Sequence, residues 1–314
     1  MEKNSARPIA PTAPQRPPHG FVVTRPVRGS SIPMDLTFVL TRDELYVPIS
    51  VRKPAGSGPF PAITMGRGDG RGGYQHVERE VERLAVMQEM MIARGYVVAY
   101  VNYRNEIPHL YETASAAVNL PDDISGGDNR TLKSAPSLDS DDFISIMGYL
   151  RTLPYIDPER IGAVGVSHSG EMILKAAAQI SFACGVAIEG ASHEFLSVNT
   201  GPTAPRKDDE IQYNDIEVVR KNTDKSVAME RIRRIETPIL HVGREQDHLQ
   251  GIFKLTHEWM LEAGKDSQWA SFDHPDHGFP YMYVQPDGSF RPDPVQREAF
   301  DLIMKYFDAR LKEK

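Results

Sequence analysis

The segment 160–180, RIGAVGVSHSGEMILKAAAQI, narrows most what this chain can fold into: an apolar strand ends in a Gly/Ser turn and re-emerges at once as a helix. RIGAVGV lacks polar alternation and so predicts a strand buried on both faces. The helix is predicted from about His168 to Ile180. A strand that feeds a helix directly belongs to a sheet of parallel strands whose crossovers cover both faces.

The rest of the chain keeps that rhythm. From Met34, LTFVL and LYVPISV predict an antiparallel pair joined by TRDE, and PAITM at 61–65 predicts a short buried strand introduced by Pro61. Val77, Val81, Leu84, Met87 and Met91 recur at helical spacing, and Gly95 closes that helix before the strand YVVAYVNY at 96–103. From 104 to 140 periodicity gives way to Pro, Gly, Asn and Asp, an irregular excursion of the length that usually carries function or mobility. SDDFISIMGYLRTLPYI then predicts a helix capped by Ser140, with Asp139, Asp141 and Asp142 as its solvated start. CGVAIEG predicts a strand, and 191–235 a polar insertion containing the short basic helix KSVAMERIRRI. The strand PILHVG, a helix over 251–264, the strand QWASF and a terminal helix presenting Phe300, Ile303, Phe307 and Leu311 on one face complete the chain. The expected fold class is α/β, a mostly parallel central sheet with helices on both faces, which offers its chemistry at the carboxyl ends of the strands.

With 314 residues, 40% hydrophobic and 25% charged, the chain can bury one large core or two modest ones, which excludes disordered and fibrous classes. It has no apolar run of about 18 residues, so no membrane span is expected. A net charge of -7 gives no basic footprint for nucleic acid or anionic lipid. The single cysteine, Cys184, excludes an internal disulfide or a Cys-rich zinc site and reads as a small core residue. Residues 1–20 read as a flexible Pro-rich arm without the apolar core of a secretory signal, and 21–314 as one catalytic domain in which 191–235 forms a short cap-like insertion. Two compartments fit that arm: the cytoplasm, or export after removal of a leader.

Gly165 and Ser167 match the front of G-x-S-x-G, placed between strand and helix as that motif requires, with Ser169 where glycine is usual. Such a turn pushes the serine hydroxyl out over the sheet and aims the first helical amides, beginning at His168, at charge developing beside it. The plainer alternative is a serine that only caps a helix. A serine nucleophile needs a base and an acid to hold the base. Asp247 follows the strand PILHVG and His277 follows QWASF, so the order Ser167, Asp247, His277 and their strand-end positions suit a triad. His274 and His277 form H-x-x-H, but further ligands at metal-site spacing are lacking, and neither metal nor cofactor is expected. His241 on its apolar strand reads as a core histidine, and His248 as a solvent or acid-loop residue.

YIDPERIGAVGVSHSG, PILHVG with its following Asp, and HGF together resemble the alpha/beta-hydrolase superfamily in its dienelactone-hydrolase and prolyl-oligopeptidase-like branch, over roughly residues 35–312. The resemblance implies a Ser/Asp/His triad, no cofactor and hydrolysis through an acyl-enzyme. Two features depart from it: dienelactone hydrolases proper use a cysteine nucleophile, and Asp247 comes one position late, which makes Glu245 the substitute acid by the resemblance. The resemblance also assigns the loop after 61–65 the second oxyanion donor, here the amide of Arg67 or Gly68 beside that of His168, with the Tyr74 hydroxyl as an alternative. Tyr74, Glu171, His193 and Phe195 are candidate substrate contacts by position near the rim. Arg67 and Arg71 would suit an acidic substrate.

The expected activity is therefore cleavage of a small-molecule carboxylic ester, and a homo-oligomer is compatible with it. An aminopeptidase or acyl-peptide hydrolase is the alternative, disfavoured by the lack of upstream sequence for a gating propeller. A non-catalytic binding protein on the same scaffold is a third reading. Gly68, Gly70 and Gly73 also fit the dinucleotide pattern G-x-G-x-x-G, but the next strand ends with Asn102 and Arg104 where a ribose-binding acid belongs, which leaves an NADP oxidoreductase as a minor alternative. The RGD at 67–69 is read as chance in a glycine run.

Overall fold

Apolar runs without polar alternation become the centre of a nine-stranded sheet. The computed structural model describes residues 21–42, 44–68, 73–104, 138–199, 206–207, 210–211 and 213–312. The Pro-rich arm, most of the 104–140 excursion, part of the 191–235 insertion, and Gly70 and Arg71 lie outside the described residues.

The strands of the sheet are β1 (Phe21–Arg25), β2 (Met34–Leu40), β3 (Tyr46–Arg52), β4 (Phe60–Gly66), β5 (Val97–Val101), β6 (Ile156–Val166), β7 (Cys184–Ile188), β10 (Ile239–Arg244) and β11 (Ser267–Phe272). Their order is β1-β2-β3-β5-β4-β6-β7-β10-β11. β1, β2 and β3 pair antiparallel, β3 meets β5 antiparallel, and every pairing from β5 to β11 is parallel. A small ribbon, β8 (Arg206–Lys207) with β9 (Glu210–Ile211), belongs to the insertion.

The helices are α1 (Tyr74–Arg83), α2 (Ala85–Ala93), α3 (Leu138–Arg151), α4 (His168–Ala177), α5 (Ile216–Lys221), α6 (Lys225–Arg233), α7 (Gln250–Glu262) and α8 (Pro294–Leu311). The period-2 geometry of a strand sends alternate side chains to opposite faces. Val97, Ala99 and Val101 of β5 join one core layer with residues of α3, α4, α6 and α7, and Val98 and Tyr100 join the other with α1, α2 and α8. The predicted face of α8, with Phe300, Ile303, Phe307 and Leu311, is buried in the second layer. In the insertion, Phe195, Leu196, Val219, Ala228, Met229 and Ile232 are buried in the first layer, which anchors that segment to the body. Among the described residues no helix is long and apolar enough to cross a membrane.

Four local expectations are corrected. β1 was not anticipated: it is a short edge strand whose Val22 stays exposed, so its sequence shows little burial pattern. The single helix expected over 74–94 turns at Leu84, where φ/ψ of -95°/6° separate α1 from α2 while Leu84 and Gln88 still donate to Glu80 and Leu84 carbonyls at 2.9 Å. Ser140 lies inside the first turn of α3, which starts at Leu138, and is not its cap. Asp139 and Asp142 are buried, because His168 and Arg104 hold them from the sheet side.

Candidate active site

β6 delivers Ser167 at its carboxyl end, and α4 begins on the next residue. Ser167 has φ 56° and ψ -117°, a conformation L-residues avoid unless the surroundings impose it. Its backbone is pinned: the N–H donates to Ile188 O at 2.9 Å, and its carbonyl accepts from Glu171 N at 3.2 Å and Ala191 N at 3.0 Å. The turn is so tight that a Cβ on Gly165 would lie 2.6 Å from the Ser169 carbonyl carbon, and one on Gly170 would lie 3.0 Å from Gly190 Cα. Ser169 is accommodated because Gly66 opposite leaves space for its hydroxyl, which pairs with Tyr103 Oη at 2.7 Å.

The end of β4 closes on the same helix start. A Cβ on Gly66 would strike Ser169 Oγ, and one on Gly68 would strike His168 Cβ and lie 2.8 Å from the His168 amide nitrogen. Absence of side chains thus brings the 66–68 backbone against the first amide of α4, which has no acceptor inside its own helix. The His168 ring turns away, its Nε2 at 2.7 Å from Asp139 Oδ2 and its edge on Tyr103. Burial disfavours its charged form, yet the hydrogen bond and charge of Asp139 outweigh this and raise its pKa. Tyr281, three residues after Gly278, accepts the Gly66 N–H at 3.2 Å and reaches the carbonyls of Gly66 and Val164 at 3.1 and 3.2 Å, so the histidine loop braces the end of β4.

Across the elbow, His277 Nδ1 lies 2.9 Å from Asp247 Oδ2. Asp247 is fully buried, also accepting from Leu249 N at 2.8 Å and Arg244 Nε at 2.9 Å. Burial pushes its carboxyl up, but the hydrogen bonds from His277 and Leu249 hold it below the usual range. The late position of Asp247 has a local cause. Glu245 N still pairs with Phe272 O at 2.8 Å, extending β10, and Gln246 at φ 58° then turns the chain back. Glu245 itself is exposed and pairs with Ser271 and Gln250, away from His277. The histidine loop sits over β6: a Cβ on Gly278 would lie 2.9 Å from Val166 Cγ1.

Sequence reasoning missed Glu189. It follows β7 at φ 46°, is fully buried, lies 3.0 Å from His277 Nδ1 and accepts the Gly278 N–H. Its one available signal is an acid directly after β7, the strand beside the one that ends in Ser167. With carboxylates at both contacts, Nδ1 must carry the proton and Nε2 is left as the basic nitrogen. Burial pulls the His277 pKa down, but hydrogen bonds and charge from Asp247 and Glu189 prevail and raise it to about 9.

The other candidates divide. Arg67 is tied to the Tyr283 hydroxyl, its guanidinium 5.3 Å from that ring, which occupies the charge expected to meet an acidic substrate. Tyr74 sits apart, exposed and packed 6.5 Å from Phe38 of β2. Glu171 and Phe195 are buried and bonded to each other, Phe195 N donating to Glu171 Oε1 at 2.7 Å, a tie between α4 and the insertion. His193 stacks on Tyr213 of the insertion at 5.7 Å. His274 points to Asp293 at 2.9 Å and stacks on Phe279, so the two histidines of H-x-x-H diverge. His241 is a buried core residue, its pKa lowered by desolvation to about 3, and burial pushes the Cys184 thiol up to about 12. Asp247, His248 and His277 bring donor atoms within 4.8 Å of one another; His277 is hydrogen-bonded to Asp247 Oδ2 at 2.9 Å, and His248 Nδ1 stands 3.5 Å from Asp247 Oδ1.

A mostly parallel sheet with both faces covered, a strained serine between strand and helix, and an acid and a histidine beyond later strands define the alpha/beta-hydrolase fold. The chain belongs to the prolyl oligopeptidase family, a family of serine hydrolases, whose profile matches residues 133–289, half of its length. Among solved structures it is similar to an acylaminoacyl peptidase from Pyrococcus horikoshii (19% identity, TM-score 0.53, covering 94% of this chain and 42% of that one). It is also similar to dipeptidyl peptidase 4 of Porphyromonas gingivalis (16%, TM-score 0.57, 89% and 36%) and to carboxyl esterase 2 of the fungus Tuber melanosporum (14%, TM-score 0.60, 91% and 90%). The chain thus spans about two fifths of the length of the two peptidases. No curated protein sequence matches it.

Proposed function

We propose that this chain is a serine esterase that hydrolyses small carboxylic esters through an acyl-enzyme. The observation that carries the reading is His277 fixed at Nδ1 by Asp247, on a loop packed over Val166, beside a serine held at φ 56° and ψ -117°. In this reading Ser167 Oγ attacks the ester carbonyl while His277 Nε2 takes the hydroxyl proton. Collapse of the tetrahedral intermediate returns that proton to the leaving alcohol, and water then repeats the sequence on the acyl-serine. Asp247 keeps His277 in the tautomer that leaves Nε2 basic. The N–H groups of His168 and of Arg67 or Gly68 are the donors to the oxyanion, each on the order of 100- to 1,000-fold in turnover for this type of site.

Similarity to an esterase over 90% of that protein's length supports the ester reading. The family match to prolyl oligopeptidases supports a second one, an aminopeptidase or acyl-peptide hydrolase with the same machinery. Purified protein assayed with p-nitrophenyl acetate and with dipeptide and N-acyl-amino-acid anilides separates the two: preference for the anilides by kcat/KM would overturn the ester assignment. Ser167→Ala is expected to abolish turnover of either substrate class and labelling by a fluorophosphonate probe. Full turnover in that variant would remove Ser167 from the mechanism.

A further inference from the structure

His277 Nδ1 faces two carboxylates, not one. Asp247 Oδ2 is 2.9 Å away and Glu189 Oε2 is 3.0 Å away, both side chains fully buried. They come from different elements, Asp247 from the turn after β10 and Glu189 from the residue after β7, and converge on one N–H. We propose that Glu189 is a second positioning acid for His277, sharing its Nδ1–H with Asp247, so that the acid place of the triad is filled twice. This rests on the serine-hydrolase reading of the site.

Glu189 is held where that role needs it. It adopts φ 46°, a left-handed conformation unfavourable for glutamate, and Glu189 N donates to Val242 O at 2.8 Å. Its Oε2 accepts the Gly278 N–H, which fixes the carboxylate against the residue following His277. Its other oxygen, Oε1, is buried and without a hydrogen bond, 3.8 Å from Arg244 Nε. A buried carboxylate is costly unless paired with a cation, and Arg244 already bonds Asp247 at 2.9 Å. The cluster balances when His277 carries its second proton: Arg244 and the imidazolium then face Asp247 and Glu189. A structural anchor for Gly278 alone would need only an uncharged acceptor.

The same pair favours the imidazolium that forms when Ser167 gives up its proton, and it also holds the second proton on resting His277 until the pH approaches about 9, above which Nε2 is free to act as base. Other titratable and charged groups belong to the elements that meet at the site. His248 packs its ring 4.9 Å from His277 and points Nδ1 at Asp247 Oδ1 (3.5 Å), Arg244 comes from β10, Asp276 precedes His277, and the His168–Asp139 pair stands at the start of α4. Removal of Glu189's charge alone leaves all of these in place.

The test is the pH dependence of kcat/KM for p-nitrophenyl acetate in the full chain. In the wild type the acid limb should rise toward about 9. Glu189→Gln keeps an acceptor for Gly278 and is expected to move that limb down by roughly 1 to 2 pH units, the effect of one charge at contact distance. Asp247→Asn is expected to lose only about 10- to 100-fold, whereas the double variant should lose about 10,000-fold, as when a lone triad acid is removed. A Glu189→Gln profile that superimposes on the wild type, or an Asp247→Asn loss equal to that of the double variant, overturns the proposal. If Glu189→Gln does not fold, Glu189→Asp, which withdraws the charge by one methylene, carries the test: a partial downward shift supports the proposal, and an unmoved limb refutes it. Ser167→Ala run in parallel separates the two levels, since retained turnover there sinks the hydrolase reading itself, whereas Ser167-dependent turnover with an unmoved limb sinks only Glu189.

Discussion

Ser167 holds a backbone conformation that costs on the order of 1–3 kcal/mol, and the glycines around it are the reason the chain can reach it. At Gly165 the clash awaiting a methyl group is with backbone atoms of Ser169, which cannot rotate aside. Gly165→Ala should therefore destabilise the protein by roughly 1–3 kcal/mol through overpacking and lower fluorophosphonate labelling of the folded fraction, measured by denaturant unfolding and probe stoichiometry. His277 makes a different kind of statement. Its pKa is raised on folding to about 9, so the stabilisation it draws from Asp247 and Glu189 is complete below its ordinary value of 6.5 and is lost as pH rises through about 9. In the proposed mechanism turnover needs the unprotonated ring and so moves the opposite way. Between those values the melting temperature should fall while kcat/KM climbs, and His277→Gln should remove the part of the melting-temperature slope that the wild type owes to this residue. A wild-type slope unchanged by His277→Gln would contradict the linkage.

Between elements, two ties that span long stretches of sequence hold the rim of the sheet. Tyr281, in the loop after β11, bonds both backbone groups of Gly66 at the end of β4, immediately before the candidate oxyanion amides. Tyr281→Phe leaves those buried groups short of a partner, at about 1–3 kcal/mol, and lets the 66–68 backbone drift. Turnover should fall with KM little changed, because a misplaced amide is felt most in the transition state. Arg104, just past β5, lies buried against Asp142 of α3, with Nε–Oδ1 at 2.9 Å and its own N–H on Oδ2 at 2.8 Å. Arg104→Ala strands that carboxylate and should cost about 3–5 kcal/mol in thermal or denaturant unfolding. These ties mark where the sequence stopped being legible. The tight turn at Ser167 and the strand-end positions of Asp247 and His277 can be read because each is a short local pattern at a strand end. Asp139 to His168 spans 29 residues, Glu189 to Gly278 spans 89 and Gly66 to Tyr281 spans 215, so no local window shows that these acids and this tyrosine are buried partners. The mostly parallel, doubly covered sheet, by contrast, follows from the alternation of apolar strands with helices, whereas the half-exposed edge strand β1 and the two-residue strands β8 and β9 carry too little pattern to be read.

Across the whole molecule, both core layers bear on β6 as they do on β5. Gly162 on β6 packs against the Phe307 ring of α8, where a Cβ would approach to 2.8 Å, while Ala163 next to it faces the layer of α3 and α4. A sheet sandwiched in this way cannot lose one layer without exposing the apolar face of the strand that carries Ser167. We propose that the described residues from 21 onward therefore unfold as one cooperative unit, the 191–235 insertion included, since its buried side chains belong to the first layer. The two tryptophans make this testable, because both lie in the C-terminal third: Trp259 is buried on α7 and Trp269 stacks on Phe253 from β11. Their fluorescence reports that third, far-ultraviolet circular dichroism reports all elements, and fluorophosphonate labelling reports the Ser167 site. For one unit the three denaturant curves should share a midpoint and a slope. If tryptophan fluorescence changed at lower denaturant while labelling persisted, α7 and β11 would be a separable unit, and the loop bearing Asp247 could not depend on the same core as Ser167.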